Sequence, residues 1–268
     1  MKTIDINERK RMQFNILLKI DSICRKQGFR YYLTYGTLLG AIRHKGYIPW
    51  DDDIDICMPR EDYEAFYRFF IQNNADKEMK LISYRDKTSI YPFFKMINPN
   101  TTVVEHYVDP QYQTGVWVDI FPIDGVEKGD DRVFLLNRIY YRLFSLIPAN
   151  PNYATSLPRK AIKRVFTPLF KTQDTYALAA KMDKKARSTP ICPSNDTAQV
   201  VWGPARRERL PFSILQATEV EFEGSLFLAP RDFDAYLTAL YGDYMTPPPA
   251  DQREAHFCSA FWKEEQNA

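Results

Sequence analysis

Histidine and cysteine are scarce, with three and four residues in a chain of 268. Cys24, Cys57, Cys192 and Cys258 are scattered and form no CxxC pair. Neither a zinc module nor a disulfide framework is therefore expected, and a reducing compartment is the default. His44, His106 and His256 lack ligand spacing and read as surface or hydrogen-bonded residues. No run of about 18 apolar residues occurs, which argues against a membrane-spanning helix. The opening MKTIDINERKRMQ has charges with no apolar stretch behind them and does not read as a signal peptide. Charge of one sign is missing too: 36 Lys and Arg against 34 Asp and Glu leave a net +2, too little for a dedicated nucleic-acid binder. The expectation is a soluble cytoplasmic protein with no nucleic-acid partner. Aromatic residues, at 15%, are plentiful, and a hydrophobic content of 45% supplies a core.

Along the chain, Met12, Ile16, Leu17, Ile20 and Ile23 recur at helical spacing within residues 7–27, and Gly28 ends the run. FRYYLTY (29–35) reads as a strand, GTLLGAIRHKG (36–46) as a helix and DIDICM (53–58) as the next strand. Pro59 opens a helix with Tyr63, Phe66, Tyr67 and Phe70 on one face. Strand candidates follow at 80–84, 91–97, 101–105 and 115–121, so this part reads as an α/β sheet. Beyond residue 130 the chain turns helical and basic, over 131–147 and 157–187, with prolines between. QVVWG then reads as a strand, EVEFEGSLFLAP as a hairpin turning at Gly224, and RDFDAYLTALYG as a helix. Three parts are expected within one continuous domain: an α/β core over 1–130, a basic helical extension over 131–200, and a C-terminal hairpin and helix over 201–268 packing back on the core.

The stretch GYIPWDDDIDICMP poses the functional question. It sets Asp51, Asp52, Asp53 and Asp55 in what otherwise reads as a buried strand. Repulsion and desolvation oppose that arrangement unless a positive charge accompanies it. Strand alternation turns Asp51, Asp53 and Asp55 to one face and Asp52, Ile54 and Ile56 to the other. Hard oxygen ligands at this spacing suit Mg²⁺ or Mn²⁺. In VWVDIFPID a further carboxylate, Asp119, is flanked by Val118 and Ile120 and needs a partner, which a shared metal would supply. The plain alternative is a solvated acidic loop. Alternation with Ile54 and Ile56, together with Asp119 downstream, weighs against it. Asp51 either joins the site or pairs locally with Arg43. In TYGTLLGAIRHKG, Gly36 lets backbone N–H groups approach a phosphate at a helix start, and Thr37 adds a hydroxyl. Arg43 and Lys45 are candidates for phosphate oxygens or for balancing Asp52.

These pieces together resemble the active-site layout of the nucleotidyltransferase (polymerase-β-like) superfamily. YGTLLGAIRHKGYIPWDDDIDICMPREDYEAF is similar to the signature of the LicD family, and VWVDIFPID and LYGDYMTPP…H, ending at His256, resemble it as well. The resemblance implies an α/β nucleotidyltransferase fold, a mixed sheet with flanking helices. It also implies metal ligation and catalysis by Asp53, Asp55 and Asp119, with Mg²⁺ (or Mn²⁺) as cofactor. Gly36 and Thr37 would hold donor phosphates, Lys95 would pair with the diphosphate, and His256 would bind substrate. The implied reaction moves phosphocholine or a similar substituted phosphate from a CDP-linked donor to a hydroxyl of a glycan or lipid-linked glycan, such as a teichoic-acid or lipopolysaccharide precursor, and releases CMP. The acceptor proton would go to Asp119 or Asp51. A quaternary ammonium on the donor would be served by rings such as Tyr31, Tyr35, Trp50 or Trp202. The fukutin-related ribitol-phosphate transferases share the fold and the Asp motif. Two alternatives stay open: a nucleotidylyltransferase adding NMP from an NTP, and a non-catalytic binder of nucleotides or glycan phosphates. Residues 138–187 hold eleven Lys and Arg against Asp174 and Asp183, a local +9. They read either as a solvated helical cap or as a surface facing anionic membrane at the inner face.

Overall fold

The computed structural model describes residues 2–73, 78–147, 150, 174–202, 206–253 and 258–264. Strand β1 (Thr3–Ile4) leads to helix α1 (Ile6–Gln27), which begins where Asp5 Oδ1 accepts the Glu8 N–H at 2.8 Å and stops at Gly28. Its buried residues include Ile16, Leu17, Ile20 and Cys24, the three-to-four spacing of a helix that covers a sheet. Strand β2 (Tyr32–Leu33), helix α2 (Tyr35–His44), strand β3 (Asp55–Pro59) and helix α3 (Arg60–Gln72) follow. Strands β4 (Lys80–Ile82), β5 (Phe94–Ile97), β6 (Thr101–Glu105) and β7 (Trp117–Val126) come next, then helices α4 (Arg132–Leu146) and α5 (Thr175–Ala186). Strands β8 (Asp196–Ala198), β9 (Leu210–Pro211), β10 (Ala217–Phe222) and β11 (Ser225–Pro230), helix α6 (Phe233–Tyr241) and strand β12 (Cys258–Trp262) complete the described elements.

The main sheet runs β2-β3-β7-β5-β4, with β8 and β9 extending it past the end of β7. Among the described strands of this sheet, only β3 and β7 pair in parallel, so the sheet is mixed. Strand β7 is buried along all ten residues. That explains why its sequence reads as an almost unbroken apolar run instead of an alternation. On one face, Ile54, Ile56, Met58, Phe94 and Met96 pack with α1, α2 and α3. On the other, Cys57, Phe93, Phe121 and Ile123 pack with Phe134 and Phe144 of α4 and with Ala179 and Met182 of α5. A separate antiparallel sheet, β1-β12-β6, ties both ends of the described chain together. The β10–β11 hairpin turns at Glu223 and Gly224, whose φ values of 49° and 75° are the positive pair that a type I′ turn requires.

Several boundaries differ from the sequence reading. Only Tyr32 and Leu33 of residues 29–35 pair as strand, and α2 begins one residue before Gly36. Pro59 closes β3 and caps α3 instead of opening it. QVVWG is not a strand: pairing stops at Ala198, and the buried Gln199 side chain donates to Thr34 Oγ1 at 2.7 Å and Tyr236 OH at 2.8 Å, turning the chain aside. Of the expected helix 157–187, the part from Thr175 to Ala186 is described, while 151–173, which carry much of the basic charge, lie outside the described residues. Among the described residues, no helix is long and apolar enough to cross a membrane.

Candidate active site

Register alone assembles the centre of the site. In the parallel pair β3–β7, Asp55 stands opposite Asp119, and in the antiparallel pair β5–β7, Lys95 stands opposite the same Asp119. Three adjacent strands therefore present Asp55, Asp119 and Lys95 in one row. The row lies near the N-terminal ends of β3 and β7, on the face that carries Cys57, Phe93 and Phe121. Lys95 Nζ is 2.7 Å from Asp119 Oδ1, and Trp117 Nε1 donates to Asp119 Oδ2 at 3.0 Å. Asp53 joins from the segment before β3, and carboxylate oxygens of Asp53, Asp55 and Asp119 lie within 4.8 Å of one another.

The alternation of DDDID survives although only Asp55 belongs to a paired strand. Asp51, Asp53 and Asp55 line a cleft of ≈ 580 Å³. Asp52 turns inward to the Arg9 guanidinium, and its backbone oxygen accepts the Gln13 amide at 3.0 Å. Burial, then Asp53, Asp119 and Asp51, push the Asp55 carboxyl well above the usual range, against the pull of Lys95. Burial also raises Asp119, with Lys95 and the Trp117 indole opposing. Three carboxylates this close together, with the Lys95 ammonium on Asp119, make a set of hard oxygen donors that a divalent cation fits.

Residues 28–133, which contain this whole row, match the family model described as LicD/FKTN/FKRP, nucleotidyltransferase domain. Residues 28–133 are thus similar to a LicD-family nucleotidyltransferase domain. The chain is 27% identical over 276 aligned positions, 97% of this chain and 99% of the relative, to a protein of Haemophilus influenzae named lipopolysaccharide cholinephosphotransferase LicD. Shorter matches join it to uncharacterized proteins of Rickettsia typhi (36% over 88 residues, 32% of this chain and 26% of the relative) and Rickettsia prowazekii (40% over 63 residues, 23% and 24%).

Other residues singled out from the sequence fall in different places around this LicD-family centre. Gly36 lines the cleft, and a Cβ there would lie 2.3 Å from Asp51 Oδ2, so the close approach of that carboxylate requires glycine. Thr37 is buried, and its Oγ1 accepts the Asp55 N–H at 2.8 Å. The hydroxyl that the phosphate reading needed thus holds the start of β3 instead. Arg43 does not line the cleft, since its Nη1 donates to the Tyr244 carbonyl at 2.6 Å. Exposed Lys45 caps α2 with a φ of 61°, and its carbonyl accepts the Glu223 N–H at 2.9 Å, also away from the cleft. His256 lies outside the described residues. Of the four rings considered for an ammonium, Tyr35 and Trp202 line the cleft. Tyr31 is buried elsewhere, its hydroxyl on Asp21 Oδ1 at 2.5 Å, and Trp50 lies under the Arg253 guanidinium, 4.5 Å from it.

The LicD-type cleft also contains groups that the sequence did not flag. Glu208, in a short turn over Arg206–Glu208, is buried and accepts the Tyr35 hydroxyl at 3.0 Å. Burial pushes its carboxyl up to about 7, with Tyr35 and Arg207 opposing. Tyr35 itself has a φ of 45°, an unusual backbone for a bulky residue and a mark of local strain at the cleft wall. In RRER, Glu208 reads as one charge in an exposed run, and no spacing signal distinguishes it. Glu105 reads only as the last residue of a strand, yet it too lines the cleft.

Proposed function

We propose that this chain is a LicD-type phosphotransferase. It moves a substituted phosphate, phosphocholine foremost, from a CDP-activated donor to a hydroxyl of a cell-surface glycan precursor and releases CMP. The observation that carries this reading is the Asp55–Asp119–Lys95 row with Asp53 beside it, at the floor of a cleft large enough for a nucleotide. The name of the Haemophilus influenzae relative supports the choline donor and the lipopolysaccharide acceptor.

Asp53, Asp55 and Asp119 would hold Mg²⁺ (or Mn²⁺), which when bound neutralises charge developing on the phosphate oxygens. The chain's own groups do the remaining work. Lys95 fixes the Asp119 carboxylate and adds positive charge beside the donor phosphates. The Thr37 hydroxyl pins the Asp55 backbone, so the row keeps its spacing. The acceptor oxygen forms a bond to the distal phosphorus as the bond from that phosphorus to the bridging oxygen breaks. The pair of electrons leaves with CMP, and the acceptor proton passes to Asp119 or Asp51. Phosphoryl transfer demands mainly positioning and charge stabilisation, which is what a rigid row on three paired strands supplies.

The same carboxylates would serve a nucleotidylyltransferase, and donor choice separates the two. A thermal-shift panel of CDP-choline, CDP-ribitol, CDP-glycerol, CTP and UTP, with and without Mg²⁺, tests the reading. A Mg²⁺-dependent rise with a CDP-alcohol that is lost in Asp53→Asn supports the transferase, and a rise with NTPs alone replaces it by nucleotidyl transfer. A donor at about a hundred times its dissociation constant adds about 2.7 kcal/mol.

A further inference from the structure

We infer that the aromatic end of the cleft is a cation subsite, formed by Glu105, Tyr107, Tyr141 and Trp202, that selects a quaternary-ammonium head group on the transferred phosphate. The inference rests on the transferase reading above and adds which residues choose the donor.

Glu105 ends β6, 7% exposed, with its carboxylate in the cleft wall. Its Oε2 accepts two phenol hydroxyls, from Tyr91 at 2.8 Å and Tyr107 at 2.9 Å. Its Oε1 is equally buried and has no hydrogen-bond partner among the described residues. A buried carboxylate oxygen left in that state costs free energy, and a cationic ligand is the partner that removes the cost without requiring a donor hydrogen.

Rings surround this carboxylate. Trp202 packs against Tyr141 with centroids 4.9 Å apart and against Tyr91 at 5.6 Å, both edge-on. A side chamber of ≈ 380 Å³ lies next to the cleft, and the two share Tyr91, Tyr107, Tyr141 and Trp202 as common walls. The same wall already holds one cation by its ring faces: Lys95 Nζ lies 4.2 Å from the Trp117 centroid and 4.5 Å from that of Tyr91. Lys95 thus occupies the rings nearest Asp119, whereas Tyr107, Tyr141 and Trp202 remain for the ligand. Ring faces beside the Glu105 carboxylate match a trimethylammonium, which offers diffuse charge and no N–H.

Titration calorimetry on the full chain with Mg²⁺ tests this, using CDP, CDP-choline, its neutral isostere CDP-3,3-dimethylbutanol and CDP-ribitol. The expected result is that CDP-choline binds about tenfold tighter than the isostere. In Glu105→Gln and in Trp202→Leu that preference falls to within twofold while CDP binds as in the wild type, which also reports that each variant is folded. Equal binding of CDP-choline and the isostere, or tighter binding of CDP-ribitol, overturns the cation subsite and leaves the transferase reading intact. Failure of CDP and every CDP-alcohol to bind the wild type overturns both.

Discussion

Replacing Asp55 with asparagine should make the metal-free protein more stable and the metal-loaded protein less so. The reason lies in the crowding of the row. Carboxylate oxygens of Asp53, Asp55 and Asp119 fall within 4.8 Å of one another. Two unit charges at that distance repel by about 3.5 kcal/mol at an effective dielectric of about 20. Asp55 faces two such neighbours, and Lys95 offsets roughly one of them. Its folded carboxyl is accordingly raised well above the usual range, by burial first and by Asp53 and Asp119 next. A carboxyl raised in the fold binds more protons there than in the unfolded chain, so its contribution to stability declines as pH climbs above the ordinary carboxylate range. The asparagine carries no charge and escapes that decline. In EDTA at pH 8, Asp55→Asn should therefore gain about 3.5 kcal/mol over wild type, and less at pH 5, where the raised carboxyl carries less charge. With Mg²⁺ at about a thousand times its dissociation constant, the wild type should gain about 4.1 kcal/mol that the variant lacks, reversing the order. Urea denaturation under the four conditions reads both signs. A variant less stable than wild type in EDTA at every pH would refute the reasoning, because Asp55 would then be satisfied without a cation.

Two further substitutions probe groups whose burial makes them sensitive. Arg60 binds Asp124 through Nε and Nη2, both at 2.7 Å, and Asp183 through Nη1 at 2.8 Å, and both acids are 1% exposed. Arg60→Met takes the guanidinium from buried Asp124 and leaves Asp183 with the more distant Arg85 and Arg187, at 3.5 and 3.8 Å, and should cost about 3–5 kcal/mol in urea denaturation at pH 7; a loss under about 1 kcal/mol would show that the network is solvated. For Glu208, a carboxyl moved from 4.5 to about 7 favours the protonated fold, so wild type should lose about 3 kcal/mol between pH 5 and pH 8 through this group. Glu208→Gln in EDTA should remove that share of the slope, and identical pH slopes for the two proteins would contradict the burial argument.

Periodicity carried much of the fold from sequence. The three-to-four spacing in α1, the hairpin at Gly224 and the acid–apolar alternation of DDDID are local patterns, and local geometry sets them. The alternation even outlasts its premise, because Asp51 and Asp53 face the cleft without belonging to a ladder. Register is a different matter. Nothing local says that Lys95 stands opposite Asp119, since that depends on how β5 and β7 align across the sheet. Part of the cleft wall was hidden for the same reason: Glu105 and Glu208 reach the site from separate parts of the chain. Residue type alone does not place Thr37 and Lys45, because each suits a phosphate as well as it suits a strand anchor or a helix cap.

The segment VDIFPID makes the limit concrete. It holds two acids, Asp119 and Asp124, equally isolated among apolar neighbours on one strand. Sequence gives no ground for treating them differently, and both are buried. Their partners separate them. Asp124 takes two hydrogen bonds from the Arg60 guanidinium, with the geometry of a paired structural charge. Asp119 meets the Lys95 ammonium in a row where the charges of Asp53, Asp119 and Asp51 raise Asp55 against the pull of that ammonium. A fold gains nothing from that surplus of negative charge, and burial makes it costly. It is tolerated where a cationic ligand completes the set, and that imbalance, more than the presence of aspartates in a strand, marks the N-terminal end of β7 as the place where chemistry occurs.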